Sequence, residues 1–179
     1  KRIDEKPYGG GPGMVLKYEP ISKCINHINN TGPIIYLSPQ GKTLTQNKLK
    51  KLSLEKHLTI LCGRYEGVDQ RVLDKLVDEE ISLGDYVISG GESASMVLIE
   101  GISRLIPGVV DDIESINKDS FQNGILDYPH YTKPEVVDSM RIPEILGSGN
   151  HQKIILWRKK QALGATWLKR PDLLNNVKL

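Results

Sequence analysis

The sequence lacks any long apolar run. No stretch of its 179 residues approaches the ~18 consecutive apolar side chains of a membrane-spanning helix, so none is expected. Residues 1–6 are charged and hold no apolar core, so no signal peptide is expected there. Cysteine is scarce: Cys24 and Cys62 stand far apart, form no CxxC pair, and read as reduced thiols of a cytoplasmic protein. No GxxxxGK[ST] occurs, which argues against a P-loop. HExxH, clustered Cys/His and GxSxG are also missing, so metal-hydrolase and serine-hydrolase chemistry have no support. Internal repeats and low-complexity tracts are absent. Acid is missing from residues 145–171, which carry Lys153, Arg158, Lys159, Lys160, Lys169 and Arg170 without one Asp or Glu. That segment is a candidate footprint for a polyanion, with a solvated basic helix face as the alternative.

What is present is ordinary globular material. The length suits one domain, or one domain with a small appendage. A net charge of +2 says little by itself. Short β-rich runs alternate with amphipathic stretches. Residues 33–38 (PIIYLS), 58–62 (LTILC) and 85–89 (DYVIS) read as strands, the first two as buried ones. Residues 45–54, 68–77 and 93–105 read as helices, the last closed by Pro107. Strands alternating with helices predict an α/β fold with a largely parallel sheet. Residues 109–133 are polar and interrupted by Gly124 and Pro129, which predicts a linker and a loop-rich entry to a second unit. Beyond Pro134 the pattern turns helical, with a helix over 151–163 that Asn150 would cap.

Glycine gathers in loops: PYGGGPGM at 7–14, YLSPQG at 36–41, CGRYEG at 62–67 and LGDYVISGGE at 83–92. Glycine lets backbone amides approach a ligand closely. Loops at the carboxyl ends of parallel strands are where α/β proteins place ligands. Tight turns holding nothing are the alternative for any one of them, but four in one small sheet favour a site.

Taken in order, PYGGGPGM, YLSPQG, CGRYEGVDQR, SLGDYVISGGE, DSFQNGILDYPHYTKP and WRKKQALGATWLKRPDLL span nearly the whole chain. The sequence resembles the bacterial tRNA (guanine-N1)-methyltransferases. That resemblance implies a SPOUT-type catalytic domain over 1–110, an α/β parallel-sheet domain tied in a trefoil knot. It implies a flexible linker over 111–118 and a small helical tRNA-binding domain over 119–179. It implies a cytoplasmic homodimer with each active site shared between subunits. It also implies methyl transfer from S-adenosylmethionine to guanine N1 at the nucleotide immediately 3′ of the anticodon, position 37. Family members begin with a strand and a helix ahead of the PYGGG loop. Roughly the first quarter of the catalytic domain is therefore expected to be missing before Lys1. A piece lacking it should be aggregation-prone or weakly active.

The resemblance also distributes roles. Tyr36, Leu37, Ser38 and Pro39 are expected on one wall of the cofactor pocket. Gly63, Tyr65, Glu66 and Gly67 are expected on a second, and Leu83, Gly84, Tyr86, Ile88, Gly90 and Gly91 on a third. Core packing is the alternative for the aliphatic members. Two positions depart from the family pattern: Ala94 replaces a Pro and Ile81 a Trp, which changes the fine shape of that wall. Asp119 matches the family's general base for the guanine N1 proton, with a helix cap or solvated linker residue as its alternative. Arg104 matches the arginine that stabilises charge on the exocyclic oxygen, a surface ion pair being its alternative. The six basic tail residues are expected against RNA phosphates. His130 is expected near the anticodon loop, or equally as a packed loop histidine. Magnesium stays unassigned because no ligand cluster identifies a site. Two rivals remain: a SPOUT enzyme acting on ribosomal RNA, against which the DSFQNGILDYPHYTKP segment speaks, and a non-catalytic RNA-binding module.

Overall fold

A computed structural model describes residues 2–28, 31–111 and 113–176. Residue 112 of the expected linker and 177–179 of the expected second domain lie outside the described residues. The chain divides into two compact units, Lys1–Asp111 and Asp112–Leu179.

The first unit opens with the paired strands β1 (Asp4–Glu5) and β2 (Val15–Leu16), followed by α1 (Tyr18–His27). Then come β3 (Ile34–Thr43), α2 (Gln46–Leu52), β4 (Thr59–Cys62), α3 (Gln70–Leu76), β5 (Glu79–Ser82) and α4 (Gly91–Ser103). The three longer strands form a parallel sheet in the order β4-β3-β5, so the chain crosses over β3 between β4 and β5. α2 packs against α4, and α1 against α3. Ile34, Ile35, Tyr36 and Leu37 are all buried, as a central strand covered on both faces requires. Alternation along the strand sends Ile35 and Leu37 into a core with Ile81, Leu52, Ala94 and Leu98. It sends Tyr36 the other way, where Glu80 is its register partner on β5.

β3 does not end at Ser38. Ile81 pairs with Leu37 and again with Lys42, so residues 38–41 step out of the ladder and the strand then rejoins β5. The third strand is also displaced from its expected place. It lies at Glu79–Ser82, and residues 85–89 form no strand. DYVIS carries the stronger β-formers, but the register with β3 selects EEIS instead.

The second unit holds α5 (Ile113–Lys118), the hairpin β6 (Val136–Val137) and β7 (Met140–Arg141), α6 (Glu144–Gly147), α7 (His151–Lys169) and a final 3-10 turn, Pro171–Asn176. The stretch expected as a flexible linker thus carries a helical turn. The helix expected over 151–163 runs on to Lys169, and Asn150 caps it by accepting a hydrogen bond from the Lys153 amide at 3.1 Å. Thr166 is fully buried in this unit. Its hydroxyl donates to the Ala162 carbonyl at 2.7 Å and accepts from the Leu126 amide at 2.9 Å, tying the loop to the helix. Thr166→Val keeps the shape and orphans that amide. It should cost about 1–3 kcal/mol in chemical denaturation, and Thr166→Ser should recover part of the loss.

Candidate active site

At the carboxyl ends of β3, β4 and β5 the loops enclose a cavity of about 390 Å³. One wall is residues 36–40, the second 63–68, and the third runs through 80–84 to 86–91. All fourteen residues expected at a cofactor pocket line this one hollow: Tyr36, Leu37, Ser38, Pro39, Gly63, Tyr65, Glu66, Gly67, Leu83, Gly84, Tyr86, Ile88, Gly90 and Gly91. The lining belongs wholly to the first unit.

The walls are fastened to one another. The Gly91 amide donates to the Gly63 carbonyl at 3.0 Å, and Arg64 forms a bridge with Gly90. Arg64 Nε lies 3.0 Å from Glu92 Oε1. The residue's own amide and then Arg64 hold Glu92 below the usual carboxylate range, so this tie is present at neutral pH and is lost only in acid. Behind the second wall the Glu66 amide donates to the Met14 carbonyl at 3.0 Å, and the Leu16 amide to the Gly67 carbonyl at 3.0 Å. The PYGGGPGM loop therefore leads into backbone that braces the wall, while residues 7–13 do not line the cavity.

Tyr36 forms much of the floor. Its hydroxyl lies 2.6 Å from where a Cβ on Gly63 would sit. Glycine there serves the fit of this phenol as well as any ligand. Burial, and then the Glu80 carboxylate, push the Tyr36 phenol above its usual range, against the pull of a hydrogen bond with the Val68 backbone.

Glu80 also lines the cavity, and sequence reasoning missed it. The signal was available. With β5 placed at Glu79–Ser82, alternation puts Glu79 on the α2 side, where it pairs with Lys48, and Glu80 on the Tyr36 side.

Other expected residues lie outside the hollow. Arg104 caps the carboxyl end of α4 and is exposed. Asp119 follows α5 in the second unit, its amide donating to the Ile116 carbonyl at 3.1 Å. His130 Nε2 stands 2.8 Å from Asp127 Oδ2, with its ring 4.7 Å from that of Tyr128. The His130 side chain is exposed. Lys153, Lys159, Lys160 and Lys169 are exposed. Arg158 instead lies over the Tyr128 ring at 4.8 Å and buries its Nε. Arg170 is paired with Asp172 at 2.7 Å. No group of three His, Cys, Asp or Glu side chains suited to a metal occurs among the described residues. Among them, too, no helix is long and apolar enough to cross a membrane.

The sequence profile of tRNA (guanine-1)-methyltransferase, TrmD, matches residues 1–176. The chain belongs to the TrmD family. A tRNA (guanine-N(1)-)-methyltransferase of Buchnera aphidicola subsp. Baizongia pistaciae is 56% identical over 99% of this chain and 73% of its own length. Proteins of the same description from Legionella pneumophila (strain Paris) and Vibrio cholerae are 52% and 50% identical, each over 100% of this chain and 74% of its own length.

Proposed function

We propose that this chain is a tRNA (guanine-N1)-methyltransferase. It moves a methyl group from S-adenosylmethionine to guanine N1 at the nucleotide immediately 3′ of the anticodon. The carrying observation is the convergence of the three loop walls into one cavity in a TrmD-family chain. Its volume and its mix of apolar side chains and backbone groups suit an adenosine-sized ligand. Tyr36, Leu83, Tyr86 and Ile88 supply the flat apolar surfaces, and turns 63–67 and 83–91 supply main-chain donors and acceptors.

S-adenosylmethionine, when bound, supplies a methyl already activated by its sulfonium. The chain's own task is to hold that donor and move a proton. Asp119 accepts the N1 proton as the new carbon–nitrogen bond forms and the sulfur–carbon bond breaks. Arg104 offsets the negative charge that gathers on the guanine exocyclic oxygen. Lys153, Lys159, Lys160 and Lys169 neutralise tRNA phosphates, so affinity should fall with salt. Arg158 and His130 shape that surface through Tyr128 and Asp127 rather than reaching out as free charges. Arg170 engages RNA in competition with Asp172.

The finer architecture belongs to the same reading. The first unit is a SPOUT domain with the family's trefoil knot, and the second is the tRNA-binding domain. The enzyme is a cytoplasmic homodimer with shared active sites. Exposed Met96, Val97 and Ile99 on α4, with Val87 nearby in the chain, support a partner surface. Magnesium is left without a ligand set.

The test is methyl transfer from labelled donor to tRNA, with a control substrate in which only the guanine 3′ of the anticodon is replaced by adenine. Incorporation should depend on that one base. Equal labelling of both tRNAs, or of neither, refutes the assignment.

A further inference from the structure

The charge around the cavity is lopsided. Among its lining residues the carboxylates are Glu66 and Glu80, and the one cation is Arg64. Arg64 is already engaged by Glu92, outside the lining. The hollow therefore presents uncompensated negative charge.

Glu80 is the deeper source of it. It is anchored mid-strand as the register partner of Tyr36, so its backbone cannot drift. One carboxylate oxygen, Oε2, is buried and has no hydrogen-bond partner among the described residues. A buried carboxylate oxygen left without a partner is costly, and such groups call for an explanation. Tyr36, its register partner on that face, does not resolve it, because its hydroxyl is turned to Gly63 and the Val68 backbone. The Glu80 charge is nevertheless felt across the floor, since it helps to suppress ionisation of that phenol.

Resting on the reading of this hollow as the methyl-donor site, we propose that Glu80 is a specificity-determining residue. Its carboxylate, with one oxygen buried, makes the cavity favour a ligand bearing an extra positive charge over its neutral counterpart. S-adenosylmethionine carries a sulfonium. Once the methyl has left, the remaining thioether, S-adenosylhomocysteine, has lost that charge and keeps nearly the same shape. A fixed negative charge separates two such ligands where shape does not. Turnover benefits in one direction: the spent product is held less tightly than the incoming donor.

The experiment is calorimetric titration of both ligands into the protein and into Glu80→Gln, which keeps the side-chain size and removes the charge. The ratio of donor to thioether affinity should fall about tenfold in the variant, as expected from losing one charge interaction of roughly 1.4 kcal/mol. A second measurement needs no variant. An analogue with a protonated amine in place of the sulfonium should bind the wild-type protein like the donor, and more tightly than the thioether. An unchanged ratio in Glu80→Gln, or equal losses for both ligands, overturns the role of Glu80. So does an amine analogue that binds like the thioether. If the wild-type protein binds none of the three, the donor-site reading falls and takes this inference with it.

Discussion

Asp119→Ala should slow methyl transfer by roughly 10²–10⁴-fold, the range expected when a general base is removed, while leaving donor affinity nearly unchanged. The two effects separate because the cavity's lining lies wholly in the first unit, and Asp119 belongs to the second. Two backbone hydrogen bonds hold the turn at Asp119. Its amide donates to the Ile116 carbonyl, and its carbonyl accepts from the Gln122 amide at 3.3 Å. Removing the side chain takes away a proton acceptor and leaves these two backbone bonds in place. Single-turnover transfer measures the first effect and calorimetric titration of S-adenosylmethionine the second. A variant with near-normal turnover would remove Asp119 from the mechanism.

A large stability effect is expected from Gly41→Ala. A Cβ at this position would sit 2.5 Å from the Glu80 carbonyl carbon and 2.5 Å from the Ile81 nitrogen. These are backbone atoms of β5, and β5 is fixed by pairing with β3 on either side of the 38–41 excursion. No flexible side chain is available to yield. Overpacking of this kind costs about 1–3 kcal/mol or more, so the melting temperature should fall on the order of 5–10 °C. Donor affinity should fall as well, because residues 38–40 form one cavity wall. Gly164→Ala is the control. A Cβ there meets nothing within 4 Å, and the position is inside α7, so alanine should be neutral or stabilising. Equal melting temperatures for Gly41→Ala and the unaltered protein would contradict the close crossing at Glu80 and Ile81.

Much of this was legible in the residues, for identifiable reasons. PIIYLS and LTILC are short, apolar and bounded by turn residues, and they form the parallel pair β3 and β4, though β4 is half-buried along its length and not the buried strand expected. Asn150 announced the start of α7 by its chemistry. What failed was local preference overruled by tertiary register. DYVIS looked like a strand because Tyr, Val and Ile are good β-formers, yet it walls the cavity while two glutamates pair with β3. That displacement also hid Glu80, whose facing depends on where β5 begins. The β6–β7 hairpin escaped because its turn residues are Asp138 and Ser139, at φ 50° and 63°, and not the Asn-Gly or Asp-Gly that announces such a turn. The excursion at 38–41 is a long-range event that periodicity does not carry. Glycine at 41 marks it only once Glu80 and Ile81 are known to lie beneath. The roles of Asp119 and Arg104 came from family resemblance, since an Asp before Ser and an Arg after a helix carry no chemical signal alone.

Hydrogen exchange with and without saturating S-adenosylmethionine tests the central claim most directly, that the three turns are the walls of one donor site. The account predicts slowed exchange in 36–41, 63–68 and 83–91 together, with the second unit unaffected. Slowing confined to one of these turns, or located instead in residues 113–176, would contradict it.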